Sequence, residues 1–132
     1  MPKTIRIASV NVNGVRAAYK KGMGEWLAER DVDILALQEV RAPTEELRKL
    51  IDTADWELHD HLATAKGRAG VAIASRIPIR EVRTDLGADD FDSAGRWLEA
   101  DFDIDGTPLT VVSCYVNSGE ADTPKQDEKW KF

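Results

Sequence analysis

The stretch Asp33-Ile34-Leu35-Ala36-Leu37-Gln38-Glu39 limits the possible folds more than any other. Its four consecutive apolar residues are too few for a helix, and they stop abruptly at an amide and a carboxylate. A short apolar run between polar residues suits a strand covered on both faces, as in the sheets of α/β proteins. Sheets of that kind bind ligands at the carboxyl ends of their strands, where side chains leave the packed interior but are still held by it. Glu39 stands at that end.

Two further runs end the same way. Thr4 to Val10 is β-prone and delivers Asn11, Asn13 and Gly14, while Leu109 to Cys114 delivers Tyr115 and Asn117. Parallel strands would bring Asn11, Glu39 and Tyr115 together on one edge of one sheet. An amide oxygen and a carboxylate are hard oxygen ligands suited to Mg²⁺, which takes one or two carboxylates and leaves other positions to water and phosphate.

A chain of 132 residues is long enough for one domain with a real core. No apolar run has the length of a membrane span, and the N-terminus lacks the apolar segment of a signal peptide, so no membrane association and a cytoplasmic location are expected. The single Cys114 has no internal partner, and two histidines, His59 and His61, make no Cys/His zinc cluster. The net charge of −6 argues against a protein that holds nucleic acid by bulk electrostatics. A local basic groove is still compatible with it, and a bound cation would supply positive charge where a phosphate sits.

Along the chain, Val15 to Gly22 reads as a basic connector. Met23, Trp26, Leu27 and Arg30 recur at helical spacing, so strand, helix and strand form a first right-handed βαβ unit. Thr44 is placed to cap a second helix carrying Leu47, Leu50 and Ile51. Trp56 to Leu62 reads as extended and Val71 to Ala74 as a buried strand. Ile79 to Thr84 reads as an edge strand and Gly87 to Ser93 as an acidic loop. Arg96 to Ile104 and Leu109 to Cys114 form a hairpin around Asp105-Gly106. A last helix opens at Thr123-Pro124 and stops at Phe132, so the chain reads as a single domain, 1–132, truncated on its C-terminal side.

Ser9-Val10-Asn11-Val12-Asn13-Gly14-Val15-Arg16-Ala17, Leu37-Gln38-Glu39-Val40-Arg41, Gly70-Val71-Ala72-Ile73, Gly95-Arg96 and Tyr115-Val116-Asn117-Ser118-Gly119 occur in a telling order and spacing. In these motifs the chain resembles the exonuclease III branch of the endonuclease/exonuclease/phosphatase family. The resemblance implies the N-terminal half of a four-layered α/β sandwich of the deoxyribonuclease I type, a mixed β-sheet with flanking helices. It also implies a Mg²⁺-dependent DNA repair nuclease, with Mn²⁺ as a substitute. Such an enzyme cleaves phosphodiester bonds at abasic sites and at the 3′ ends of duplex DNA. It further implies Glu39 as principal metal ligand with Asn11 beside it, and Tyr115 as the catalytic tyrosine on the phosphate. Arg16, Arg68 and Asn13 take DNA-contacting positions. Many relatives have Pro where this chain has Asn117. The family's remaining Asp-x-Asn, Asp and Asp-His motifs would lie beyond Phe132, so the isolated chain is expected to be inactive.

Each residue also has an ordinary reading. Glu39 alone would be a solvated carboxylate, Asn13-Gly14 a turn, Arg16 and Arg68 surface charges, and Tyr115 a half-buried aromatic. Cys114, Trp26, Trp56 and Trp97 read as core, and His59 and His61 as surface or partly buried. Two alternatives to a DNA nuclease stand beside it. One is a phosphodiesterase or phosphatase of the same superfamily acting on another substrate. The other is a non-catalytic half-domain that needs a complementary C-terminal half or associates with itself. A half that supplied mainly one sheet would leave a broad apolar face uncovered.

Overall fold

The computed structural model describes residues 4–51, 54–62, 69–84 and 95–116. Arg68, the acidic loop over 87–93 and the helix expected from Thr123 lie outside them. The order is β1 (Ile7–Asn11), α1 (Val15–Lys20), α2 (Met23–Arg30), β2 (Ile34–Gln38), α3 (Thr44–Leu50), β3 (Glu57–His61), β4 (Val71–Ser75), β5 (Glu81–Arg83), β6 (Trp97–Ile104) and β7 (Thr107–Cys114). One sheet runs β1-β2-β4-β3 and a second β5-β6-β7. β1 and β2 are parallel, with Asn11 opposite Gln38, and β4 is antiparallel to both β2 and β3. The first sheet is therefore mixed.

β2 and β4 are buried along their whole length, because both of their faces are covered. Leu35, Leu37, Ala72 and Ala74 face the helices, where they meet Val15, Met23, Leu27 and Leu47. Ile34, Val71 and Ile73 face the other way, against Leu98, Ala100, Phe102 and Val111 of the second sheet. β6 alternates buried and half-buried positions, so Leu98, Ala100 and Phe102 point inward while Glu99 and Asp101 point out. Three of the four expected layers fall within the described residues.

Several expectations are corrected. Tyr115 does not follow a strand of the first sheet. A tight hairpin with no helix in it, Asp105 at φ 52° and Gly106 at φ 89°, joins β6 to β7, so both strands lie in the second sheet. That sheet covers the apolar face expected to be open. Among the described residues β1 is an edge strand, and its Ile7 is 49% exposed. β1 also begins at Ile7 rather than Thr4, since the Arg6 N–H is taken by the Asp33 carboxylate at 3.0 Å.

The basic connector folds as α1, because Val15, Ala18 and Tyr19 share a face that packs on the helix-side core. Thr44 is the first residue of α3 rather than its cap. Its hydroxyl donates to Asp60 Oδ2 at 2.8 Å, and Pro43 precedes the helix. Trp26 is 38% exposed, because α2 buries only Met23 and Leu27. Arg30 lies over its ring, 5.8 Å from the centroid. Trp56 and Trp97 are half-buried.

Candidate active site

The parallel register of β1 and β2 puts Asn11 beside Gln38, one residue short of Glu39. Continued as a strand, Glu39 would turn to the opposite face from Gln38. Instead its φ is 52°, which ends the pleat and brings its carboxylate round to Asn11, whose Nδ2 donates to Glu39 Oε1 at 3.1 Å. Asn13, Arg41 and Ala69 have φ of 45°, 53° and 43°. Left-handed conformations in residues with a Cβ cost on the order of 1–3 kcal/mol each and persist where the surroundings impose them.

Here a lattice of backbone bonds does so. Gly14 donates to the Glu39 carbonyl at 2.8 Å, Val15 to Val40 at 2.9 Å, Val40 to Gly70 at 3.0 Å and Arg41 to Ala69 at 3.0 Å. Gly14, at φ 95°, adopts a conformation that glycine takes without strain.

Glu39 is only 14% exposed at its side chain, and Arg41 Nη2 pairs with its Oε2 at 2.8 Å. Tyr115 reaches the same carboxylate from the second sheet. Burial, followed by the charge of Glu39 and a hydrogen bond to it, holds the phenol above its ordinary value, against the opposing pull of Arg41 and Arg96. Tyr115 is thus a neutral hydrogen-bond donor well past neutral pH. Its N–H is fixed by the Arg96 carbonyl at 2.9 Å. Asn11, Glu39 and Tyr115 do converge, but across the mouth of two sheets rather than along one edge.

The Asn13 N–H donates to Asn11 Oδ1 at 3.1 Å, so the Asn11 oxygen is turned away from Glu39. Glu39 fits a hard cation as it stands. Asn11 fits after a half-turn of its amide, which gives up the bond from Asn13 N–H and the bond to Glu39. One carboxylate and one amide suit a cation that keeps several waters or phosphate oxygens. Among the described residues no group of three or more His, Cys, Asp and Glu is placed to hold a metal. His59 Nε2 pairs with Glu57 at 2.9 Å and His61 Nδ1 contacts the Trp97 carbonyl at 3.1 Å, so the two histidines do not act together. Burial raises the Cys114 thiol, which disfavours the nucleophilic thiolate.

Arg16 pairs with Glu46 of α3 at 3.0 Å in an exposed contact, while Asn13 lies exposed beside Asn11. A groove of about 410 Å³ runs past both asparagines between β1 and the first two helices, lined also by Lys21, Met23 and Trp26.

The family model for the Endonuclease/Exonuclease/phosphatase family matches residues 8–131. The chain belongs to this family. It is 32% identical over 115 residues to the DNA repair nuclease APEX1 of Danio rerio, covering 85% of this chain and 36% of that protein. To exodeoxyribonuclease III of Haemophilus influenzae it is 26% identical over 118 residues, covering 89% and 43%. An AP endonuclease from Archaeoglobus fulgidus superposes with a TM-score of 0.78 at 28% identity, over 97% of this chain and 48% of that one. The chain thus spans less than half the length of each of these proteins.

Beyond the residues that the family motifs pointed to, the site includes Arg41 and Gln38. Both lie in the Leu37-to-Arg41 motif, but only the left-handed backbone at Glu39 and Arg41 brings the guanidinium back onto the carboxylate. Gln38 is 9% exposed and Ser113 0%, and Gln38 Nε2 donates to Ser113 Oγ at 3.0 Å. That contact spans 75 residues, and no local pattern announces it.

Proposed function

We propose that the chain carries the Glu39 half of a divalent-cation-dependent DNA repair nuclease that cleaves phosphodiester bonds at abasic sites and 3′ ends of duplex DNA, with Mg²⁺ as the working cation. The observation that carries this reading is the shielded Glu39 carboxylate, met by Asn11 from its own sheet and by Tyr115 from the other. The names of the relatives, a DNA repair nuclease, an exodeoxyribonuclease and an AP endonuclease, support the substrate class.

Glu39 would hold the cation, with Asn11 Oδ1 as a second donor. A bound cation supplies Lewis-acid stabilisation of charge on the phosphate and on the leaving oxygen. Tyr115, kept protonated, donates to a non-bridging phosphate oxygen, and Arg41 offers a guanidinium to the same anion. Asn13, Arg16 and Arg68 are assigned to DNA contacts, Arg16 after leaving Glu46.

The test is a duplex oligonucleotide with one abasic site, incubated with Mg²⁺ and resolved on a denaturing gel. Strand cleavage that EDTA stops and Glu39→Ala abolishes is the expected behaviour of the active protein. Cleavage that persists in Glu39→Ala removes the reading.

A second reading has its own support: the chain is catalytically incomplete without a complementary half of the same fold. Water attack requires a group to take or position a proton, and His59 and His61 are engaged elsewhere. Among the described residues β1 has a free edge and its Ile7 is exposed, which is where a further strand would add. Cleavage only after addition of the C-terminal half of a relative supports this reading, and cleavage by the chain alone removes it.

A further inference from the structure

The space between the sheets is mostly apolar. Below Glu39 and Tyr115, Gln38 of β2 donates through Nε2 to Ser113 Oγ of β7 at 3.0 Å and to Ser9 Oγ of β1 at 3.2 Å. Ser113 Oγ in turn donates to the Leu37 carbonyl at 2.7 Å. Ser113 is fully buried and Gln38 nearly so. An apolar side chain of similar size would fill this space without the cost of desolvating an amide. Apolar contact between sheets is non-directional and tolerates sliding, whereas a hydrogen bond fixes position and orientation. Among the described residues Gln38–Ser113 is the one buried side-chain-to-side-chain hydrogen bond between strands of the two sheets, His61 meeting only the Trp97 carbonyl, and it lies directly beneath the site, with Gln38 next to Glu39 and Ser113 two residues from Tyr115.

We propose that Gln38 is a positioning residue, which through Ser113 sets the separation of Glu39 and Tyr115 across the two sheets. The proposal rests on the reading of Glu39 as cation anchor and Tyr115 as phosphate contact. Its content is that the two sheets carry different parts of one site, and that the amide bridge holds them in register. Asn11 ends β1 and Glu39 follows β2, and the bonds from Val12 to the Gln38 carbonyl and from Gly14 to the Glu39 carbonyl tie these ends together, so loss of the bridge leaves the cation's seat intact and displaces only Tyr115.

Paramagnetic relaxation by Mn²⁺ in the 132-residue chain separates these effects. In the wild type, Mn²⁺ bound at Glu39 broadens the Tyr115 ring protons, and Glu39→Gln abolishes this broadening. In Gln38→Met and in Ser113→Ala the Mn²⁺ affinity stays within about twofold of wild type, since backbone bonds that neither variant touches hold both cation-side residues. A shift on the order of 1 Å, the scale on which such sites lose function, lowers an inverse-sixth-power effect on Tyr115 by about twofold or more. The double variant matches Ser113→Ala, because Ser113 makes both bonds, to Gln38 and to the Leu37 carbonyl, and Gln38→Met removes only the first; Ser113→Thr, which keeps the hydroxyl, behaves as wild type. Met leaves no buried group orphaned, because Ser113 keeps its bond to Leu37. Should Gln38→Met fail to fold, Ser113→Ala decides alone. Unchanged Tyr115 broadening in the variants, with Mn²⁺ still bound through Glu39, overturns the positioning role and spares the functional reading. Mn²⁺ binding that is absent, or indifferent to Glu39→Gln, overturns both.

Discussion

The two ends of the sandwich use the same residue types to opposite effect. At the end away from the site, Arg76 donates to the Val32 carbonyl at 3.0 Å and to Asp31 Oδ1 at 2.7 Å, lies 3.7 Å from Asp33, and covers the Trp56 ring at 5.5 Å. Arg6 adds a bond from its guanidinium to the Arg30 carbonyl at 3.0 Å. There, acceptors outnumber cations and every contact fastens one element to the next. At the other end a single shielded carboxylate is surrounded by donors: Asn11, Arg41 and Tyr115. Four of the six described non-glycine residues with positive φ lie at this end, namely Asn13, Glu39, Arg41 and Ala69. One end is built for cohesion. The other holds polar groups in a costly arrangement that cohesion alone does not require.

The largest expected effect falls on what joins the two ends. Phe102 is fully buried between the sheets, so Phe102→Ala should lower unfolding stability by about 3–5 kcal/mol in urea titration and loosen both ends together. Breaking the fastening end alone is gentler. Arg76→Ala should cost about 1–2 kcal/mol, because the lost bonds and ring contact are partly exposed, and should leave Mn²⁺ binding unchanged. At the site end, Glu39→Gln keeps the shape and removes the charge. Stability should change by no more than about 0.5 kcal/mol, and a loss as large as that from Arg76→Ala would erase the contrast between the ends.

The smallest effect concerns a charge cluster on the outer face of the second sheet. Arg83 forms a two-pronged pair with Asp101 at 2.6 and 2.8 Å, and Thr110 adds a bond at 2.8 Å. Together they hold the Asp101 carboxyl down at about 2, from an ordinary 3.8. A lowered carboxyl contributes stability above its unfolded value and loses it as pH falls through the folded one. The advantage of wild type over Asp101→Asn should therefore be complete above pH 3.8 and fade towards pH 2. A difference that persists at the acid end would assign it to packing instead.

Much of this was legible in the sequence, for identifiable reasons. Ile34 to Leu37 and Val71 to Ala74 are apolar without alternation because both faces are covered, and that pattern is local. The Asp105-Gly106 turn fixed the hairpin. Asn11 and Glu39 could be brought together because a βαβ unit has one hand and its strand tips share one edge. The second sheet was hidden, since alternation along β6 says which residues point inward but not onto which sheet they pack. The exposure of Trp26 is not legible in the sequence, because Met23, Trp26 and Leu27 share helical spacing while only Met23 and Leu27 are buried. The Arg41 contact depends on left-handed conformations at Glu39 and Arg41, on either side of Val40, and the Gln38 bridge on a residue far along the chain.

The central claim is that Glu39 anchors a divalent cation, and direct binding tests it without reference to catalysis. Free Mn²⁺ followed by electron paramagnetic resonance, titrated with the 132-residue chain and with Glu39→Gln, measures that anchoring. One saturable site in the wild type, weakened at least about tenfold in Glu39→Gln by loss of the one carboxylate donor that the described residues bring to it, is the expected result. Equal binding by the two proteins, with both folded, would contradict it.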